Sequence, residues 1–113
     1  MQVRISGRHF EVTEALKNHI TKKVERFEKY LDSIIDIHAI LGVEKYRQYA
    51  EISVFGKRLK FTEKSVETDM YVAIDKVCLR IEKTLRRHKD KLKTYRKKDN
   101  RKIQPQSGLK GGF

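Results

Sequence analysis

The sequence predicts an α+β fold: a two-layer sandwich in which a four-stranded sheet carries two helices on one face, in the order β-α-β-β-β-α. Three observations predict it. Four short stretches alternate apolar and polar residues. Two longer stretches repeat apolar residues at helical spacing. And 113 residues, 38% of them hydrophobic, suffice for one domain around one modest core.

The first strand is expected over Gln2–Ser6, with Val3 and Ile5 on one side and Arg4 and Ser6 on the other. Thr13 then reads as a helix N-cap, followed by Leu16, Ile20, Val24, Phe27 and Leu31 on one helical face. Ile35, Ile37, Ala39, Leu41 and Val43 form the inward side of a second strand. A polar turn around Glu44–Gln48 leads to a third, with Ala50, Ile52 and Val54 inward. Gly56-Lys57-Arg58 reads as a hairpin turn into a fourth strand carrying Leu59 and Phe61. Thr68 or Asp69 caps the last helix, whose apolar stripe is Ile74, Val77, Cys78, Ile81, Leu85, His88 and Leu92. That helix is expected from about residue 69 to about 95, roughly 39 Å long. A strand of about seven residues spans only some 23 Å, so the helix overhangs its sheet. The domain therefore covers residues 1–95, and 96–113, holding the only proline and three of the six glycines, is expected to be a basic, flexible tail.

Charge is the most informative feature of composition. The chain carries 27 Lys and Arg against 15 Asp and Glu, a net of +12. Residues 1–75 hold a net of +1 and residues 76–113 a net of +11. Such a balance calls for a polyanionic partner, unless the basic third only solubilises. Its arrangement favours the partner. Lys76, Arg80, Lys83, Arg87 and Lys91 fall in one narrow sector of the last helix, about 140° from the apolar stripe at 100° per residue. Lys76, Arg80 and Lys83 have no acid at i+3 or i+4, whereas Arg86 sits between Glu82 and Asp90 and is expected to be paired. Lys22, Arg26 and Lys29 share a flank of the first helix, with Lys23 at its inner edge.

Other chemistries find little support. No nucleophile elbow, phosphate-binding glycine loop or HExxH occurs, and the four histidines with one cysteine make no metal spacing. The expectation is a protein without enzymatic activity or cofactor. Cys78 reads as a small core residue and His88 as a packed one. One cysteine excludes an internal disulfide framework, the start Met1-Gln2-Val3-Arg4 is unlike a secretory signal, and no apolar run approaches the roughly 18 residues that span a bilayer, so a cytoplasmic location is expected. The aromatic pair and RNP1 pattern of an RRM are missing; recognition by shape and backbone charge, hence structured RNA rather than a DNA operator, fits better.

Several stretches carry a resemblance. Val12-Thr13-Glu14-Ala15-Leu16, Glu28-Lys29-Tyr30, Val43-Glu44-Lys45, Asp69-Met70-Tyr71-Val72-Ala73-Ile74-Asp75 and Arg87-His88-Lys89-Asp90-Lys91-Leu92 together resemble the bacterial ribosome hibernation-promoting factor and ribosome-associated inhibitor family, once also called sigma-54 modulation proteins. The likeness covers roughly residues 1–95. It implies a β-α-β-β-β-α domain loosely similar to double-stranded-RNA-binding domains. It also implies binding to the small ribosomal subunit and its rRNA, in the decoding channel where mRNA and the A- and P-site tRNAs lie, so that translation is blocked under starvation or in stationary phase. The family's basic positions fall on Arg80, Lys83, Arg87, Lys89 and Lys91 of the last helix and on Lys23 and Arg26 of the first; with Lys76 these are the expected rRNA contacts. Glu63-Lys64-Ser65-Val66-Glu67 is bulkier and more charged than the family pattern, which leaves the register of the fourth strand's exit open. The C-terminal dimerisation domain of long members does not follow residue 113, so the chain matches a short form or the N-terminal domain alone. The alternative is a protein-interaction module acting on a transcription (sigma) factor, as the older name suggests.

Overall fold

The structure of the chain, a computed structural model, describes residues 1–31 and 33–100, the side chains of 91–100 excepted. Strand β1 (Gln2–Arg8) leads through a short loop to helix α1 (Glu14–Val24), and β2 (Ile34–Glu44), β3 (Arg47–Gly56), β4 (Leu59–Glu67) and helix α2 (Met70–Asn100) follow. The four strands form one mixed sheet in sequence order, with β1 parallel to β2 and the other neighbours antiparallel. This is the expected β-α-β-β-β-α sandwich. Its core joins the helix stripes to the inward side of the sheet: Leu16, Ile20, Val24 and Phe27 meet Ile37, Ala39, Leu41, Ile52 and Val54 beneath Ile74, Val77, Cys78, Ile81 and Leu85.

Local chemistry sets the ends of the helices. Thr13 sits extended at φ −79° and ψ 164°, and its Oγ1 accepts from the Leu16 amide at 3.2 Å. Asp69 is the cap of α2: its Oδ1 accepts from the amides of Tyr71 at 2.8 Å and Val72 at 3.2 Å. The first apolar stripe is not one continuous α-helix. After Val24 the chain tightens into a 3-10 turn over Glu25–Lys29. Because residues i and i+3 eclipse in that geometry, Phe27 and Tyr30 point the same way, toward α2. Phe27 is fully buried and the Tyr30 hydroxyl donates to Glu82 Oε1 at 3.2 Å.

Two expectations are corrected and one open question is answered. In β2 a bulge between Ile34 and Asp36 inserts one residue, so Ile34 takes the inward place and Ile35 is exposed. Val43, near the hairpin that follows, is also exposed. The exit of β4 is regular: pairing with β3 continues without a slip from Gly56↔Leu59 to Gln48↔Glu67. Ser65, small and buried opposite Ala50, marks its inward side there. Finally, α2 does not stop near residue 95 but runs through Asn100, so 96–100 belong to the helix, while the remainder of the expected tail, 101–113, lies outside the described residues.

On the face of the sheet away from the helices, Tyr49 lies across Gly42 and is itself buried. A Cβ at Gly42 would meet that ring at 2.4 Å, so only glycine admits it. Lys64 covers the ring at 4.5 Å and pairs with Glu44 at 3.1 Å. The aromatic rings of β3 are thus packed within the chain rather than offered to bases: Tyr49 lies under Lys64, and half-buried Phe55 has Lys60 over its ring at 5.9 Å.

Candidate nucleic-acid interface

The 31 residues of α2 make a rod of about 45 Å, against about 30 Å for the nine of β4. Its stretch from Met70 through Leu85 packs on the core, and the helix runs on to Asn100. Two contacts fix how it lies. Lys76 Nζ reaches Glu67 Oε2 at 3.2 Å, and Arg80 Nη1 donates to the Lys64 carbonyl oxygen. Rising residue numbers in α2 therefore run against falling numbers in β4, and the basic row follows the free edge of the sheet.

The opposite flank of α2 meets α1. Asp75 Oδ1 lies 2.7 Å from His19 Nε2 and 3.4 Å from Lys23 Nζ. The Tyr71 ring stands edge-on to His19, with ring centres 5.0 Å apart. Two turns further along, Glu82 accepts from Tyr30, and Arg86 lies over the Tyr30 ring at 5.8 Å. Arg86 is thus held by an aromatic face rather than by Glu82, because Glu82, only 9% exposed, is turned inward to Tyr30. Further still, Lys89 Nζ donates to the Lys29 carbonyl at 3.5 Å. Burial, with Glu82 nearby, pushes the Cys78 thiol up to about 12, so it remains protonated and inert as a nucleophile.

The eight expected contact residues therefore divide into two groups. Lys76, Arg80, Lys83 and Arg87 line the β4 side of α2, while Lys23, Arg26 and Lys89 lie toward α1; the side chain of Lys91 is outside the described residues. Their freedom differs. Lys76 and Lys23 are paired with carboxylates, but from Glu67 on a strand and Asp75 on the other helix, partners that spacing along one helix cannot reveal. Arg80 caps an edge carbonyl, which blocks the strand edge from pairing. Arg26, Lys83 and Arg87 are exposed and have no carboxylate partner among the described residues. Between the groups, the outer surface of α2 also exposes Val72 and Leu79. Among the described residues no group of three His, Cys, Asp or Glu side chains could hold a metal ion, and no helix is long and apolar enough to cross a membrane.

An α+β domain with this strand order and a long basic final helix defines a class, and the comparisons give it a family. The profile of the family described as Sigma 54 modulation protein / S30EA ribosomal protein matches residues 3–93, and the chain belongs to that family. A ribosome hibernation promoting factor of Pseudomonas putida is 35% identical over 91 residues, covering 80% of this chain and 89% of the relative. That of Escherichia coli K12 is 34% identical over 95 residues, 84% of this chain and 100% of the relative. Among solved structures, a ribosomal subunit interface protein from Coxiella burnetii shares the fold with a TM-score of 0.76 at 24% identity, over 80% of this chain and 100% of that one. The N-terminal domain of Thermus thermophilus Protein Y superposes with a TM-score of 0.73 at 27% identity, over 78% of this chain and 99% of that one.

Proposed function

We propose that the chain is a ribosome hibernation factor: a non-enzymatic cytoplasmic protein that binds the small ribosomal subunit through rRNA phosphates in the decoding channel. There it occupies the place of mRNA and the A- and P-site tRNAs and holds translation off under starvation or in stationary phase. The observation that carries this reading is the exposed pair Lys83 and Arg87 on the β4-side flank of α2, cations without carboxylate partners among the described residues. Self-repulsion in such a row costs a few tenths of a kcal/mol per neighbouring pair, and a phosphate backbone offsets it. The names of the curated relatives point the same way.

The rival reading, an interaction module acting on a sigma factor, has one observation in its favour: Val72 and Leu79 are 40% and 64% exposed on the outer surface of α2. Sedimentation separates the two. In sucrose gradients of lysates from growing and starved cells, the ribosomal reading predicts the chain in fractions holding small subunits, enriched on starvation. Its confinement to the top of the gradient in both states would overturn that reading.

A further inference from the structure

The β3–β4 turn is a second cationic feature, at the end of the sheet toward which α2 runs. Gly56 lies against the start of β2; a Cβ there would meet the Ser33 carbonyl oxygen at 2.7 Å. The Lys57 amide donates to that same carbonyl at 3.3 Å. The backbone of the turn is thereby fixed, and its two side chains, Lys57 and Arg58, are both exposed. Arg58 is held at φ 56°, the left-handed region where a glycine would sit without steric cost. A long cation thus occupies a position whose backbone favours glycine, and no ion pair ties either side chain among the described residues.

Position gives these charges a meaning. Arg80 lies beside Lys64, and from Lys64 back to Arg58 is about 20 Å of strand, equal to about 13 residues of helix. Since α2 runs against β4, the turn lies alongside the stretch of α2 that follows Arg87. Lys60, next in the strand, is exposed on the other face of the sheet, and Asp36, the carboxylate in its row, is two strands away. Two cationic elements, a turn with a fixed backbone and the helix, thus extend toward the same end of the molecule.

We propose that Lys57 and Arg58 form a second anchoring point for the RNA backbone that lies along α2, so that the bound strand bridges from the Lys83–Arg87 row to the β3–β4 turn. This rests on the ribosomal reading above and adds to it two phosphate contacts from the sheet layer.

The test uses the full chain and purified bacterial small ribosomal subunits, with affinity measured from 50 to 300 mM KCl at fixed magnesium. The variant Lys57→Ala with Arg58→Gly loses both charges but keeps the turn, since alanine retains the amide bond to Ser33 and glycine relieves the left-handed backbone. Its Tm should equal or exceed that of the parent. Its affinity near 150 mM salt should fall about tenfold, and the slope of log affinity against log salt should become shallower by about 1.4 to 1.8. Arg58→Lys, which keeps the charge, should retain most of the slope. Parent-like affinity and slope in the double variant, beside a clear loss in Lys83→Gln with Arg87→Gln, would overturn the second anchor alone. A loss with unchanged slope would mean a contact other than phosphate and would equally overturn it. No loss in either variant would overturn the ribosomal reading beneath it.

Discussion

The two flanks of α2 are built from different residues and do different work. Toward α1, its polar side chains are spent inside the protein: Asp75 holds His19 and Lys23, Glu82 holds Tyr30, and Arg86 covers the Tyr30 ring. Toward the free edge of β4, the contacts thin out with distance from the cap. Lys76 is paired, Arg80 caps a carbonyl, and Lys83 and Arg87 have no carboxylate partner among the described residues. Lys83 and Arg87 stand on either side of Leu85, which is buried in the core, so the partners are lost while the helix still covers the sheet. Charge that is structural near the cap becomes available to a partner further along the same flank.

The largest expected effect breaks that contrast directly. Lys83→Glu with Arg87→Glu should weaken small-subunit binding by roughly 10²- to 10³-fold, as like charges meet phosphate. Tm should move by no more than about 2–4 °C, because exposed substitutions stay within about 0.5 kcal/mol. A collapse of Tm measured by circular dichroism would make the outer flank structural after all.

On the inner flank, Cys78 gives a pH signature. Its thiol keeps its proton in the folded chain up to about 12, whereas the unfolded chain releases it near the ordinary 9.0. The unfolded state then binds fewer protons, so stability is fully present below pH 9 and is lost as pH rises from 9 toward 12, by on the order of 1 kcal/mol at pH 10. Urea melts at pH 8 and 10 should show this loss, and Cys78→Ala should lack that component. A native thiol that alkylates at pH 8 without unfolding would contradict the burial.

Smaller effects sharpen the contrast. Asp75→Asn should cost about 1 kcal/mol of stability, discounted for its half-exposed position, while leaving subunit affinity at or slightly above the parent value, since Lys23 is released. Glu67→Gln frees Lys76 on the other flank and should cost less than about 1 kcal/mol. Its affinity should rise two- to threefold, read by the same binding titration. An affinity loss in either variant would place the carboxylates in the binding surface itself.

The sequence carried the architecture further than it carried the pairing of charges. Alternation and helical spacing are local signals, and they located every strand, both helices and nearly the whole core. They failed where geometry departs from the regular period: the bulge that turns Ile35 outward, and the 3-10 turn that brings Phe27 and Tyr30 into one line. The helical periodicity of apolar residues stops after about Tyr95, yet the charged stretch to Asn100 remains helical. Charge partners were legible only within a helix, at i+3 and i+4. Glu67 and Asp75 lie on other elements or face them, so the neutralisation of Lys76 and Lys23 became visible only with the fold, as did the cation held at the β3–β4 turn.

The central claim is that uncompensated cations along the last helix, with those around it, bind ribosomal RNA through phosphate. It is tested most directly by the salt dependence of binding to purified small subunits. Six to eight neutralised phosphates predict a slope of log affinity against log salt of roughly −4 to −7. A slope near zero, with tight binding retained at high salt, would contradict the account.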